Sequence, residues 1–284
     1  MRKRWRCPIP RWSFQSRNCY AESVAGRFSE PGQAYHGVAE LKIIDGKFRG
    51  RWNGQVRFIE RHLEDPLRWK RPRRIFVNSM SDLFHEEVKS DWIAAIFSVI
   101  EASPRHTFQI LTKRPERMRE WVAPFDAWLR YAADTTFALR FKHVWLGVSV
   151  EDQATAGERI PILLRTPAAV RWVSYEPALG PLNLAEIETG GEALLDWLVC
   201  GGESGPGARP MHPDWARAAR DQCFAASVPF FFKQWGEYAS VSEVAGNGLH
   251  FTFEDGATVR RLGKKLAGRM LDGREWNEMP AVNR

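Results

Sequence analysis

Six short apolar runs, each ending in polar or charged residues, limit the folds open to this chain more than any other feature of its sequence. The runs cover residues 74–77, 107–111, 143–148, 170–173, 197–200 and 229–232. Short apolar runs of this kind are typical of strands that are buried on both faces of a parallel sheet. Parallel α/β folds bind ligands at the carboxyl ends of their strands, so the six polar ends are expected to form one rim.

Segments with helical spacing separate these runs. Asp91 is predicted to cap a helix with a buried apolar face, and Pro115 is predicted to be the first residue of the next helix. Further helices are expected over residues 152–164 and from Pro213 onward. Strands that alternate with helices indicate βα units and a parallel sheet.

Two different segments flank the repeating part. Before it, an Asp-Gly turn at 45–46 predicts a hairpin, and the spacing of Val56, Ile59 and Leu63 predicts a helix. After Gly236, short hairpins are expected. The sequence therefore predicts an α/β fold: a parallel, TIM-barrel-like (β/α) partial barrel of about six strands, with an N-terminal hairpin extension and a β-rich C-terminal cap.

We interpret the whole chain as one domain, a size that a single α/β domain can reach. Its predicted parts are an N-terminal extension, a barrel core and a C-terminal cap, which cover residues 1–70, 71–236 and 237–284.

The charge and cysteine content suggest a compartment and a class of partner. The net charge of +7 favours a nucleic acid or another anionic partner, although many moderately basic proteins have none. The four cysteines show no disulfide spacing, which favours the cytoplasm. No apolar run approaches the length needed to span a membrane, so no membrane partner is expected.

Four carboxylates lie at or just past predicted strand ends and are expected to converge. These rim carboxylates are Asp82, Glu151, Glu176 and Glu203. Converging carboxylates bind divalent metals or perform acid–base chemistry. A loop carboxylate can also simply cap a helix, and Asp82 and Glu151 are both placed to do so.

Basic residues and glycines share the predicted rim. The rim cations are Lys113, Arg114, Arg209 and Lys233. They could form ion pairs with the rim carboxylates or bind a phosphate or carboxylate group. The glycine loop from Gly201 to Gly207 lacks the spacing of a dinucleotide fingerprint or a P-loop, but it allows a ligand to approach the backbone closely.

Seven motifs of this chain together resemble a known family. They occupy residues 18–22, 78–84, 111–115, 147–151, 176–177, 201–205 and 232–236. They read NCYAE, NSMSDLF, LTKRP, GVSVE, EP, GGESG and FKQWG. The chain resembles, from about residue 18 to its end, a phage and bacterial family of unknown function called gp-thirty-seven/gp-sixty-eight. That family is similar to radical S-adenosylmethionine enzymes in its three-cysteine motif and partial barrel.

The resemblance implies two cofactors, a [4Fe–4S] cluster and S-adenosylmethionine, and a role for each part of the rim. The rim cations would bind an anionic group, and Cys19 would occupy a cluster-ligand position. The pocket would be lined by Asp82, Glu151 and Glu176. The cosubstrate would be held by Gly201, Gly202, Glu203 and Ser204.

The implied cluster motif is incomplete in this chain. The family spaces its cysteines as C-x6-C-x2-C, and the matching positions here hold Ile9, Ser16 and Cys19, with Cys7 out of register. Because such clusters are held by cysteine thiolates, we predict that the chain as written holds no stable cluster. Either this member has lost the cluster, or residues 6–16 reflect a shifted reading frame or a misassigned start.

Three functions agree with these residues. The leading hypothesis is an enzyme resembling radical S-adenosylmethionine proteins that acts on a nucleic acid or nucleotide. The second is a divalent-metal-dependent hydrolase that uses the rim carboxylates with His85 or His212. The third is a catalytically inactive nucleic-acid-binding relative.

Overall fold

The centre of the fold is a six-stranded, all-parallel sheet that curls into a half-barrel. The computed structural model describes residues 20–44, 46–187 and 195–281. The strands pair in chain order, β3-β4-β5-β6-β7-β8. They are β3 (Arg74–Val77), β4 (Thr107–Thr112), β5 (Val144–Val150), β6 (Val170–Tyr175), β7 (Trp197–Gly201) and β8 (Phe230–Gln234). The predicted fold class is therefore confirmed.

Helices connect the strands and cover the outer face of the sheet. They are α3 (Ser90–Glu101), α4 (Pro115–Ala133), α5 (Phe137–Arg140), α6 (Gln153–Leu164) and α7 (Pro213–Ala225). Pro115 begins α4 as predicted, and Asp152 caps α6 through a reciprocal capping box with Thr155. The predicted cap of α3 is wrong, because Lys89 occupies the N-cap position and Asp91 lies in the first turn.

The N-terminal part contains the predicted hairpin but not the predicted second helix. It holds α1 (Tyr20–Gly26), β1 (Ala39–Ile44), β2 (Lys47–Trp52), a 3-10 turn (Glu60–His62) and α2 (Asp65–Arg68). The hairpin pairs Ile44 with Lys47 around the predicted turn. Val56 and Ile59 have no regular secondary structure, and their side chains are only half-buried, so the helix predicted from their spacing with Leu63 is wrong.

The C-terminal part is β-rich, as predicted. It contains β9 (Tyr238–Ser240), β10 (His250–Thr252), β11 (Thr258–Arg261), α8 (Lys264–Ala267), β12 (Met270–Leu271) and β13 (Arg274–Glu275). Its last residues run along β8, where Asn277 bridges to Phe231 and the indole of Trp197 donates to the Glu278 carbonyl at 2.9 Å. The cap therefore packs directly on the barrel.

Side chains alternate between the two faces of each strand, so the sheet has a separate hydrophobic core on each face. The larger one packs the outer face of the sheet against the helices and contains Ile75, Phe108 and Leu146. The smaller one lies on the concave face and is built largely of aromatic rings, including Trp145, Trp172, Trp197 and Phe231, with Met279 packed against it. This aromatic layer fills the barrel interior below the rim.

One glycine is dictated by that layer. Gly147 lies in the middle of β5, and a Cβ there would sit 2.4 Å from the indole of Trp172. Only glycine allows the ring to lie this close to the neighbouring strand.

No helix in the described parts of the chain is long and apolar enough to cross a bilayer.

Candidate functional site

Asp82 is the best-connected carboxylate of the rim. It is 1% exposed and follows β3, where its Oδ1 accepts from the Thr112 hydroxyl at 2.7 Å. Its Oδ2 accepts from the Lys113 backbone N–H at 3.0 Å and from Arg114 at 3.1 Å. Arg114 also reaches Glu86 at 2.9 Å. Asp82 therefore ties the end of β3 to the end of β4 and does not cap a helix.

Glu151 continues this network onto β5. Lys113 donates to its Oε1 through Nζ, and Arg159 donates to its Oε2 at 3.1 Å. Arg159 is itself nearly buried and also donates to the Ser149 carbonyl at 2.7 Å. Glu151 caps no helix either, because the adjacent Asp152 caps α6. Its charge is neutralised by two cations from different elements.

Glu176 follows β6 and pairs with residues of β8. Lys233 donates to Oε2, and the amide of Gln234 donates to Oε1 at 3.2 Å. The same amide reaches the Ser204 hydroxyl at 3.1 Å. Gly201 lies between the two strands, and a Cβ there would sit 3.3 Å from Glu176 Oε1. The Lys233 side chain is 44% exposed, so this pair opens to solvent.

Glu203 and Arg209 form a pair within one loop. The Arg209 side chain donates to both carboxylate oxygens at 2.9 and 2.7 Å, and its backbone N–H adds a bond of 2.8 Å. The hydrogen bond to Glu203 raises the pKa of Arg209, and the nearby charges of Glu203 and Glu151 raise it further against the effect of burial. This pair holds the shape of the loop after β7.

The second glycine of the loop has a structural cause. A Cβ on Gly202 would lie 2.0 Å from the carbonyl oxygen of Trp235, so the end of β7 packs backbone to backbone on the chain after β8. This contact accounts for Gly202 without a ligand, whereas Gly201 and Ser204 face Glu176 and Gln234.

Two rim residues that the sequence analysis did not single out as site residues are Asn78 and Ser81. Asn78 directly follows β3, has a left-handed backbone with φ of 56°, and is 2% exposed. Both polar atoms of its side-chain amide, and the buried Ser81 hydroxyl, lack a hydrogen-bond partner among the residues that the structure describes. Buried polar groups normally have partners, so these atoms stand out as candidates to bind a ligand. The sequence signal that could have identified Asn78 is its position as the first polar residue after the apolar run 74–77.

Strand register brings these side chains to one edge of the sheet. Thr112 pairs with Val148, Val150 with Tyr175, and Gly201 with Gln234. The rim carboxylates therefore follow β3, β5, β6 and β7 at the same end of the half-barrel. Each is hydrogen-bonded to at least one rim cation, and their predicted catalytic and ligand-binding roles stay predictions.

The predicted metal-hydrolase arrangement lacks free ligands at the rim. A divalent ion would have to displace the cations that already bind each rim carboxylate. Within residues 20–44, 46–187 and 195–281, the group able to offer three ligand atoms within 4.8 Å is His212, Asp214 and Asp255, which includes none of the rim carboxylates. His212 already accepts from the Asp214 N–H and bonds Asp255 at 2.9 Å.

The cysteines in the described ranges do not fit a cluster. Burial, with the nearby charge of Glu176, raises the pKa of the Cys200 thiol well above its ordinary value. Burial raises the pKa of Cys223 to about 12. Both thiols therefore stay protonated, and thiolates are needed to bind iron. Cys19, the predicted cluster-ligand position, lies outside the described residues.

A comparison with protein families identifies the chain's relatives. One family model, described as "Protein of unknown function (DUF5131)", matches residues 10–280. The chain belongs to the DUF5131 family. No curated protein and no solved structure matches it significantly. Membership in a family of unknown function is thereby confirmed for this DUF5131 member, while the gp-thirty-seven/gp-sixty-eight name and the radical S-adenosylmethionine resemblance gain no support from the match.

Proposed function

We propose that this DUF5131 member is an enzyme that binds a zwitterionic nucleoside cosubstrate at the rim, with S-adenosylmethionine as the first candidate, and acts on a nucleotide or nucleic acid. The observation that carries the proposal is the buried, unpartnered amide of Asn78 at the end of β3. An unpaired buried amide costs about 1–3 kcal/mol, and its left-handed backbone adds strain. Such a cost is typical of residues that bind a ligand.

The paired charges of the rim support a zwitterionic ligand. The Lys233–Glu176 pair is open to solvent and offers a cation and a carboxylate side by side. An amino-acid group carries the complementary ammonium and carboxylate, so it can bind both members of the pair without leaving an uncompensated charge. A purely anionic ligand would leave Glu176 facing a like charge.

The more buried pairs would act as the fixed wall of this site. Asp82, Thr112 and Arg114 hold the ends of β3 and β4 together, so Asn78 is carried on a rigid edge. The amide of Asn78 can both donate and accept, as the edge of a nucleobase does, and the Ser81 hydroxyl adds a second polar group. The proposal therefore places the nucleoside near β3 and the amino-acid group near β6 and β8.

Cluster chemistry is no part of this proposal. The described thiols are buried and protonated, and the sequence lacks two of the three cysteines that the resemblance implies. The sulfonium of S-adenosylmethionine makes its attached carbons electrophilic, and the residues named above would bind and orient the ligand.

Calorimetric titration of S-adenosylmethionine into wild type and Asn78→Gly tests the proposal. Glycine keeps the left-handed backbone and removes the unpartnered amide, so the variant should fold with equal or greater stability. Its affinity should fall about tenfold or more. The matched control is Asp134→Gly, which changes another left-handed residue (φ of 46°) on an exposed turn and should leave binding intact.

A second variant separates the two halves of the ligand. Lys233→Met should weaken S-adenosylmethionine but leave the affinity for adenosine unchanged, because only the amino-acid group contacts this lysine. Absence of binding by wild type, or equal affinity of Asn78→Gly and wild type, would overturn the proposal.

A further inference from the structure

The amino end of the sheet, opposite the rim, has a pocket of its own that is rich in arginine. Its volume is about 470 Å³. We define the arginine pocket by its charged lining residues, Arg119, Asp126, Arg130, Arg165 and Arg171. We propose that the arginine pocket binds phosphate groups, carried either by a nucleic-acid strand or by a free phosphorylated compound.

Three separate elements build the arginine pocket. Arg119 and Arg130 lie on one face of α4, Arg165 follows the last residue of α6, and Arg171 is the second residue of β6. Because a parallel strand begins where the preceding helix ends, Arg165 and Arg171 lie at the amino ends of the strands, and α4 runs along the outside of the sheet from Arg119 to Arg130 toward that end. The rim lies at their carboxyl ends, so the two sites are separate and the inference does not depend on the proposed cosubstrate.

The charges lining the pocket do not balance. Among the described residues, Asp126 is the one acid that lines the pocket, and its two oxygens already accept from Arg130 at 2.8 Å and from the Phe137 N–H at 2.7 Å. The guanidinium groups of Arg119 and Arg165 make no hydrogen bond or ion pair with any residue in the described ranges. Two guanidinium groups beside a concave surface are therefore available to bind an anion.

Arg171 adds a half-buried cation to the same pocket. Its Nε donates to the Thr166 carbonyl at 3.0 Å, and its terminal nitrogens make no hydrogen bond within the part of the chain that the structure describes. Burial lowers the pKa of Arg171, and the charge of Asp196 only partly offsets this effect. A bound anion would stabilise the charged guanidinium in this position.

The partial charge at a helix end does not account for all the arginines of the arginine pocket. The carboxyl end of α6 carries a partial negative charge that favours Arg165. That partial charge is only about half an elementary charge, whereas four cations face the pocket against one acid. Phosphate suits such a set because it has several acceptor oxygens, two of which can accept side by side from one planar guanidinium group.

Calorimetric titration with sodium pyrophosphate tests the site. The test variant combines Arg119→Gln with Arg165→Gln. Both residues are exposed, so the substitutions should leave the fold intact. The matched control is Lys264→Gln with Lys265→Gln, which removes the same charge from exposed residues of α8. Pyrophosphate affinity should fall about tenfold or more in the test variant and change less than about twofold in the control.

A labelled single-stranded DNA distinguishes the two sources of phosphate. If its affinity falls in parallel and pyrophosphate displaces it, the phosphates belong to a nucleic-acid strand, and the affinity should also fall steeply with salt. If only pyrophosphate binding is lost, the ligand is a free phosphorylated compound. The proposal is overturned if wild type binds no pyrophosphate, or if the test and control variants bind it equally.

Discussion

The Asp82 carboxylate accepts a hydrogen bond of 2.7 Å from the Thr112 hydroxyl, although 30 positions separate the two residues in the chain. Asp82 follows β3 and Thr112 ends β4, so this single contact joins two strand ends at the rim. The same carboxylate also binds Arg114, which in turn binds the exposed Glu86. One arginine therefore has a buried and an exposed carboxylate partner, which allows a matched comparison.

Replacing the buried partner should destabilise the protein far more than replacing the exposed one. Asp82→Ala leaves Thr112 and the Lys113 N–H without their acceptor and Arg114 without its buried counter-charge, so we expect a loss of about 3 kcal/mol. Glu86→Ala removes an exposed pair and should cost less than about 1 kcal/mol. Urea unfolding of both variants measures the difference, and equal losses would contradict the assigned role of Asp82.

Gly147 should not tolerate a methyl group. The built Cβ lies 2.4 Å from the Trp172 indole, and both residues belong to the packed strands β5 and β6, so Gly147→Ala should cost about 1–3 kcal/mol. Gly157 is the control, because it is an exposed residue of α6 with no atom within 4 Å of a built Cβ. Gly157→Ala should instead stabilise by about 0.5–1 kcal/mol in thermal or urea unfolding. If both substitutions stabilised the protein, the Trp172 indole would have to move aside easily, and this account of Gly147 would be wrong.

Stability should fall as the pH drops below the ordinary pKa of histidine. Burial lowers the pKa of His106 and of His143 against hydrogen bonds that raise it. Below about pH 6.5 the unfolded chain therefore binds protons that the folded chain does not. Each histidine then removes up to about 1.4 kcal/mol of stability per pH unit, until the folded pKa is reached.

The variant His143→Gln checks this assignment. The difference in unfolding free energy between about pH 7.5 and about pH 5.5 should be smaller in the variant than in wild type. His250 has an exposed ring, so His250→Gln should keep the wild-type difference. An unchanged pH dependence in His143→Gln would contradict the role given to burial.

The chain as written should not hold an iron–sulfur cluster. After anaerobic reconstitution with iron and sulfide, the wild-type protein should stay colourless, because Ser16 is a hard ligand and Ile9 cannot bind metal. Changing Ile9→Cys and Ser16→Cys together should restore iron binding near Cys19. About four irons per chain in the wild-type protein, or none in the double variant, would refute this account of Cys19.

The sequence by itself determined the sheet and its edge. Each apolar run carries its own strand signal, and local residues such as Pro115 and Asp152 set helix starts, so these features follow from neighbours in the chain. The carboxyl ends of parallel strands must share one edge, which is why Asp82, Glu151 and Glu176 could be placed together in advance.

Only the tertiary structure decided what those residues contact. The pairs Asp82–Arg114, Glu151–Lys113 and Glu176–Lys233 join residues 32, 38 and 57 positions apart, and no local pattern encodes which cation reaches which carboxylate. The burial of Asn78 and the backbone contact of Gly202 likewise depend on neighbouring strands. Local periodicity failed at Val56 and Ile59, because Val56 and Leu63 pack against the main core from a segment that is not α-helical, and apolar spacing alone does not show which backbone conformation presents the side chains.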